Sequence, residues 1–410
     1  MYKYIGIPKL PTHILSKDEI LKEISKCIKC GKCEENCSIF LTLGKNSAWN
    51  KLELIKRFIK GEELEKEEIE SIFTCTKCEA CESICPAKIP LMAIFDWARN
   101  AFVEKYNFIN PKQPVIIKNI LSHENPFGRE GDRFQNICER EIVKKYIRPE
   151  KTGHPKENMD INRNIEKNQK TLLHLGCMLN YRIPQMAFDL IEILDKLQID
   201  FILDPAEMCC GYYVWNCGDH QSASKVIEKH SKRLEKYDKI ICACAGCYTF
   251  FRSHYPSELK FVHAIEVISE KIHSFLEIQS DRILKQVKES NRLKRGVFHD
   301  SCHLTRPWGI TEPPRSILNS LGYEHVQDFP RAKESNLCCG ADGGMRFINK
   351  KLAIKIGKNR VKEASEISDS LLTLCPFCIF NFNDAKGDDF HSFNIDSLYR
   401  EIRESLARFE

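Results

Sequence analysis

Apolar residues fall into two periodic regimes along this chain. In "WNKLELIKRFIKGEELEKEEIESIF", residues 49–73, apolar side chains stand at Leu52, Leu54, Ile55, Phe58 and Ile59, the spacing of a helix with one buried face. Upstream, Ser16 followed three positions later by Glu19 reads as a capping box that opens a helix through Ile20, Leu21 and Ile24. From residue 171 the pattern changes. "TLLHL" (171–175), "DFILD" (200–204) and "KIICA" (239–243) are short apolar runs that read as buried strands, separated by helical stretches at Pro184–Leu197 and Ser222–Tyr237. "GVFHD" (296–300), "EHVQDF" (324–329) and "SLLTL" (370–374) repeat the arrangement. Strands alternating with helices predict a mainly parallel sheet, with sites gathered at the carboxyl ends of its strands. The expected fold is therefore an α-helical region followed by an α/β region of two repeats.

Between the regimes, residues 110–134 are rich in Pro, Asn and Gly, and residues 149–170, "PEKTGHPKENMDINRNIEKNQK", are polar enough to read as a solvated linker. The expected divisions are 1–108 for the helical domain, 109–170 for the connecting segment and linker, 171–285 for the first repeat and 286–410 for the second.

Composition adds the setting. A chain of 410 residues with 42% apolar content has room for two or three domains. It has no run of 18 apolar residues, and "MYKYIGIPKLPTHILSKDE" lacks the order of a signal peptide, so a cytoplasmic location is expected, with a membrane reached only through a partner. Net charge is +5, from 62 basic against 57 acidic residues, which gives no reason to propose nucleic acid. The 21 cysteines change the picture most. In a reducing compartment, cysteine at that density points to metal.

Spacing selects the metal. "CIKCGKCEENC" holds Cys27, Cys30, Cys33 and Cys37, and "CTKCEACESICP" holds Cys75, Cys78, Cys81 and Cys85 at the same spacing. In two-cluster ferredoxins three such thiolates bind one cubane and the fourth ligates the other. This assigns Cys27, Cys30, Cys33 and Cys85 to one [4Fe–4S] cubane, and Cys75, Cys78, Cys81 and Cys37 to a second. Zinc also takes four cysteines, though seldom with three at this spacing.

Each of the two later repeats carries five cysteines in the order C, CC, CxxC. The first has Cys177, Cys209, Cys210, Cys244 and Cys247; the second has Cys302, Cys338, Cys339, Cys375 and Cys378. Every group falls just past an expected strand end. Gly211 and Gly340, directly after the CC pairs, would let the backbone turn tightly around a bulky cluster. Five converging thiolates favour an iron–sulfur centre over zinc, which closes at four. A vicinal disulfide at CC or a redox-active CxxC are the competing readings, and neither covers the whole pattern twice. Cys138, Cys217 and Cys242 are left over and read as packed thiols.

The helical two-cluster part resembles the α-helical ferredoxin domain of succinate dehydrogenase iron–sulfur subunits and heterodisulfide reductases. The C…CC…CxxC repeats, with "FHDSCHL" and "NLCCGADGG", resemble the cysteine-rich CCG domains of heterodisulfide reductase. The fusion is similar to the D-type subunit, which joins the C-type and B-type parts. The resemblance implies that each five-cysteine set holds a noncubane [4Fe–4S] cluster, and that the pair cleaves the mixed disulfide of coenzyme M and coenzyme B. Electrons would come through the two cubanes from a donor subunit, either a membrane cytochrome b or a soluble flavoprotein. Iron capturing each departing sulfur would ease the cleavage. His174, His299 and His303 are candidate proton donors, against the commoner role of a packed histidine. Arg182 and Arg306 are candidates for recognising the coenzymes' anionic groups. The rival function is an electron-transfer subunit of a glycolate- or lactate-oxidising complex; those relatives often have an incomplete cysteine set, and both sets are complete here.

Overall fold

The computed structural model describes residues 15–108, 110–130, 133–134, 136–147, 171–278, 285, 289, 296–323 and 326–409. The linker at 149–170 and the division expected at 285/286 lie outside or at the edge of these residues, as does most of the amino-terminal stretch.

The amino-terminal part is helical. Ser16 caps the helix Lys17–Ser25: its hydroxyl accepts from the Glu19 amide, and the Glu19 carboxylate accepts from the Ser16 amide at 2.7 Å. Helices Ala48–Ile59 and Lys66–Phe73 follow as the periodicity predicts, and Leu91–Tyr106 joins them. Ile20, Ile24, Leu52, Ile55, Ile72, Phe73, Phe95 and Phe102 form a separate apolar core. The Pro/Asn/Gly-rich segment contains a further helix, Lys112–His123. Pro114 is tolerated because it falls in the first turn, where an amide has no intrahelical acceptor. Ile116, Ile117 and Ile120 pack beside Met208 and Val214.

The α/β part contains two parallel sheets. In the first, β1 (Thr171–His174), β2 (Lys239–Cys242) and β3 (Phe261–His263) lie in the order β1-β2-β3. The second has the order β5-β4-β6-β7, from β4 (Gly296–His299), β5 (Val326–Asp328), β6 (Ser370–Thr373) and β7 (Asn394–Ser397). The strand expected at 200–204 is reduced to isolated bridges, Leu172 with Ile202 and Leu203 with Ile147, which occupy the place that β5 takes in the second sheet. The two repeats thus have one topology.

Their apolar interiors merge into one core. The carboxyl-terminal helix Leu398–Leu406 crosses to pack on Pro184–Lys196 of the first repeat, where Arg403 Nε meets Asp189 Oδ1 at 2.8 Å. Arg99, fully buried, fastens the helical part to both repeats. Its Nη1 donates to the Asn216 and Gly343 carbonyls, each at 2.9 Å, and its Nη2 to the Cys75 carbonyl at 2.6 Å. A Cβ on Gly343 would stand 2.5 Å from the Cys75 carbonyl oxygen, so the loop after the second CC pair needs a glycine there. Among the described residues no helix is long and apolar enough to cross a membrane.

Candidate iron–sulfur centres

The two ferredoxin-type segments share one backbone device. Lys29 and Lys77, before the second cysteine of each, have φ of 53° and 54°; Gly31 and Glu79, just after it, have 77° and 63°. These left-handed residues curl the chain so that successive cysteines face a common point. Cys27, Cys30, Cys33 and Cys85 line one cavity of about 250 Å³ beside Trp49. Cys37, Cys75, Cys78 and Cys81 line a second, tighter hollow. The structure therefore brings together the crossed sets, with Cys85 and Cys37 exchanged between segments. Burial, reinforced by the neighbouring thiols, pushes Cys81 well above its ordinary range; burial also raises Cys37. Thiols gathered this closely ionise together only when a cation compensates them, so the donor set fits a metal cluster.

The five-cysteine sets sit at the carboxyl ends of strands. β1 leads into Cys177, β2 into Cys244 and Cys247, β4 into Cys302, and β6 into Cys375 and Cys378. Cys244 and Cys375 are the N-cap residues of helices Ala245–His254 and Pro376–Lys386. All five cysteines of the first repeat line one cavity of about 70 Å³. In the second repeat, the Cys378 and Cys339 sulfurs are 3.2 Å apart and Cys302 contacts Cys338. The second thiol of each CC pair behaves alike: Cys209 and Cys247 pull Cys210 down to about 6, and Cys338 and Cys378 pull Cys339 down to about 6. Nε2 or Nδ1 of His299 and the sulfurs of Cys339 and Cys378 lie within 4.8 Å of one another. Neither CC pair is bridged.

Gly211 and Gly340 both have φ of +88°. This is the tight turn the sequence predicts, and each glycine in addition lies close against a helix. A Cβ on Gly340 would meet Ile356 Cβ at 2.7 Å and the Ala353 carbonyl at 2.9 Å, and one on Gly211 would meet Val226 at 3.1 Å.

The four cysteine sets are not evenly separated. Cys78 of the second ferredoxin-type set shares a hydrogen bond with Cys338 of the second five-cysteine set. Across from the first set, Ala341, Asp342, Phe347 and Phe377 of the second repeat close its cavity.

The three candidate histidines separate. His174 is fully buried and held neutral, down to about 3, by burial and then by Arg133. His299 is buried between Phe329 and Phe382 and held well below its ordinary value, chiefly by burial. His303 differs: its Nε2 is 2.8 Å from Asp342 Oδ2 and 3.3 Å from the Tyr212 hydroxyl, two residues that line the cavity. Burial pushes His303 down, but the Asp342 carboxylate outweighs it and raises it to about 9.

Of the arginines, Arg182 stacks over Phe127, which lines the cavity. Arg306 is buried and donates to the Cys78, Glu334 and Asn336 carbonyls, so it braces the junction instead of facing a ligand. Sequence reasoning passed over Arg133 and Glu207. Arg133 Nη2 reaches the Cys177 sulfur at 3.4 Å and Glu207 Oε1 at 3.0 Å, and the Glu207 carboxylate accepts from the Leu175 and Gly176 amides at 2.8 and 3.0 Å. A glutamate two positions before a CC pair was the only signal. Cys217 and Cys242 are buried in the core, Cys138 is half-buried, and none of the three lines these cavities.

Residues 23–89 match the 4Fe-4S dicluster domain family, and residues 171–252 and 297–383 match the cysteine-rich domain family. A dicluster ferredoxin domain followed by two cysteine-rich repeats defines the class: an iron–sulfur component of an oxidoreductase. Near full-length likeness extends to the D-type subunit of dihydromethanophenazine:CoB–CoM heterodisulfide reductase from Methanosarcina barkeri, 28% identical over 98% of each chain. Its counterpart in Methanosarcina acetivorans is 27% identical over 92% of this chain and 93% of its own. The B-type subunit of fumarate reductase (CoM/CoB) from Methanothermobacter marburgensis is 30% identical over 51% of this chain and 41% of its own. The chain belongs with the heterodisulfide reductase D-type iron–sulfur proteins.

Proposed function

We propose that this chain is the catalytic subunit that reduces a disulfide, the coenzyme M–coenzyme B heterodisulfide or a similar one, to two thiols. One observation carries the reading: the cavity lined by all five cysteines of the first repeat is closed by residues of the second repeat, Phe377 among them, which stands between Cys375 and Cys378. A disulfide in that cavity would meet the first five-cysteine set directly, with the second set behind the wall that Ala341, Asp342 and Phe377 form.

Cys177, Cys209, Cys210, Cys244 and Cys247 would hold one noncubane [4Fe–4S] cluster, and Cys302, Cys338, Cys339, Cys375 and Cys378 the other. Cys27, Cys30, Cys33 and Cys85, and Cys75, Cys78, Cys81 and Cys37, would hold the two cubanes. When bound, the clusters supply Lewis-acidic iron for the departing sulfurs and pass electrons singly. The protein's own contribution is orientation and protons. Reduction of a disulfide consumes two electrons and two protons and releases two thiols. His303, whose Nε2 touches Asp342 and Tyr212 of the cavity wall, would bring a proton to a product sulfur through them. His174 and His299 are enclosed and packed edge-on against Phe251 and Phe382 at the strand ends. Phe127, Phe347 and Phe377 give the cavity apolar walls that exclude water.

The test uses anaerobically purified, iron-replete protein and follows oxidation of reduced viologen on adding the heterodisulfide. Oxidation that requires this disulfide and ignores glycolate and lactate supports the reading. No oxidation with this or related disulfides, the clusters being intact, refutes it and leaves an electron-relay role.

A further inference from the structure

The first ferredoxin-type set differs from the other three in its exposure. Of the 21 cysteines Cys30 alone is exposed. Ile28, which lines the same cavity as Cys30, is 68% exposed, and Ile84, next in sequence to Cys85 of the same set, is 39% exposed. Two large aliphatic side chains held in water around a ligand sulfur have the composition of an interface core. Around them the surface is basic. Lys29 and Lys32 line the cavity mouth, and Lys26 and Lys88, both exposed, adjoin Cys27 and follow Cys85. Among the described residues no carboxylate pairs with Lys29, Lys32 or Lys88, and Lys26 meets Glu23 at 2.6 Å. Against them stand Glu35, exposed, and Glu34, which accepts from the Ser47 hydroxyl at 3.1 Å.

We infer that this face is the docking site of an acidic one-electron carrier protein, seated on Ile28 and Ile84 over Cys30 and attracted by Lys26, Lys29, Lys32 and Lys88. The inference rests on the relay half of the proposed reading, that Cys27, Cys30, Cys33 and Cys85 hold an electron-carrying centre. Charge decides the partner. Cytoplasmic loops of membrane proteins carry an excess of Lys and Arg, so such a face would meet this one with like sign. An acidic soluble carrier meets it with opposite sign, which raises the encounter rate and makes it fall with salt. The cysteines of the other sets are buried or half-buried, so an electron delivered at Cys30 enters at the most exposed sulfur.

The experiment mixes the iron-replete protein, without any disulfide, with reduced flavodoxin, an acidic one-electron flavoprotein whose absorbance reports its own oxidation. The wild-type rate is expected to fall about tenfold as ionic strength rises from about 0.01 M to about 0.15 M. Lys32→Glu with Lys88→Glu should slow flavodoxin about tenfold at low salt. Reduced viologen, which is cationic, should be speeded by the same change. A wild-type rate indifferent to salt overturns the inference however the variant behaves. So does an equal fall with both donors, which would report a damaged centre. Flotation of the wild type, but not the variant, with phosphatidylcholine–phosphatidylglycerol vesicles, without any flavodoxin effect, would assign the face to an anionic lipid surface and overturn it too. Because only cluster reduction is read, failure here is separate from failure to reduce a disulfide.

Discussion

Arg99→Met should loosen the junction between the helical part and the two repeats. The guanidinium is fully buried and donates to five acceptors: the Asn216 carbonyl and side-chain oxygen at 2.9 and 3.1 Å, the Gly343 carbonyl at 2.9 Å, the Cys75 carbonyl at 2.6 Å and the Ile72 carbonyl at 3.3 Å. Methionine fills similar volume and donates nothing. A buried acceptor left without a donor costs about 1–3 kcal/mol. Carbonyls relax toward other donors and the burial cost of the charge is relieved, so the sum is nearer two orphaned acceptors than five, about 3–5 kcal/mol. A chain with several cores and bound clusters does not unfold in one step, so a global stability is the wrong quantity. Amide hydrogen exchange reads the junction directly. At about 1.4 kcal/mol per decade, protection of the Gly218, Met345 and Phe347 amides should fall by about two to three and a half powers of ten. These amides donate to the Trp215, Asp342 and Gly344 carbonyls, in the loops that Arg99 holds. The Ile240 amide, bonded to Lys260 across the first sheet, should keep its protection. Unchanged protection in both loops, with iron content equal to wild type, would refute the role assigned to Arg99.

Iron analysis of the intact protein should give about sixteen atoms per chain, for four four-iron clusters, and a value near eight would remove the clusters from the two repeats. Glu207→Gln should lose the first-repeat centre selectively, because it strips the buried Arg133 of its countercharge at a cost of about 3–5 kcal/mol; iron lower by about four atoms, with the ferredoxin-type signals retained, is the expected result. Gly340→Ala should destabilise more than Gly211→Ala, since its new Cβ would meet a helix backbone oxygen at 2.9 Å whereas the other meets a movable Val226 methyl at 3.1 Å. Equal melting temperatures for the two variants would contradict that ordering.

What could be read from the sequence follows from how local each constraint is. The cysteine groupings were legible because chemistry fixes both residue type and spacing, and the crossing of Cys37 and Cys85 follows from a spacing rule; the thiols gather in those two groups. The capping box at Ser16 and Glu19 is equally local. Strands β3 and β7 were missed because "FVH" is too short and "NIDS" too polar to show a period; parallel neighbours, not their own pattern, make them strands. The helix at Lys112–His123 was hidden behind a count of Pro, Asn and Gly that ignored where in a helix a proline sits. Arg133, Glu207 and Arg99 were beyond reach because their partners are remote in sequence: Arg133 lies in a segment read only as a connection, yet it touches Cys177. His303 could not be told from His174 and His299 without Asp342, which comes to it from another loop.

The two repeats share a topology but not an electrostatic setting, and the difference gives the relay a direction. Two positions before its CC pair the first repeat has Glu207, which neutralises Arg133 beside Cys177. The second repeat has Asn336 at the same place, which accepts from Arg360 at 3.1 Å and carries no charge. Arg306, buried beside Cys78, Cys302 and Cys338, donates only to carbonyls in the hydrogen bonds it makes among the described residues. Glu79 is its acidic neighbour, and burial raises that carboxyl toward the neutral form. A positive charge without a full countercharge favours the more reduced, more negative state of whatever metal those thiolates hold. It stands where the second ferredoxin-type set meets the second repeat. Under the proposed reading, electrons arriving through the helical part would be drawn first to a centre held by the second repeat, and one held by the first repeat, with its paired Arg133 and Glu207, would lie downstream across the cavity.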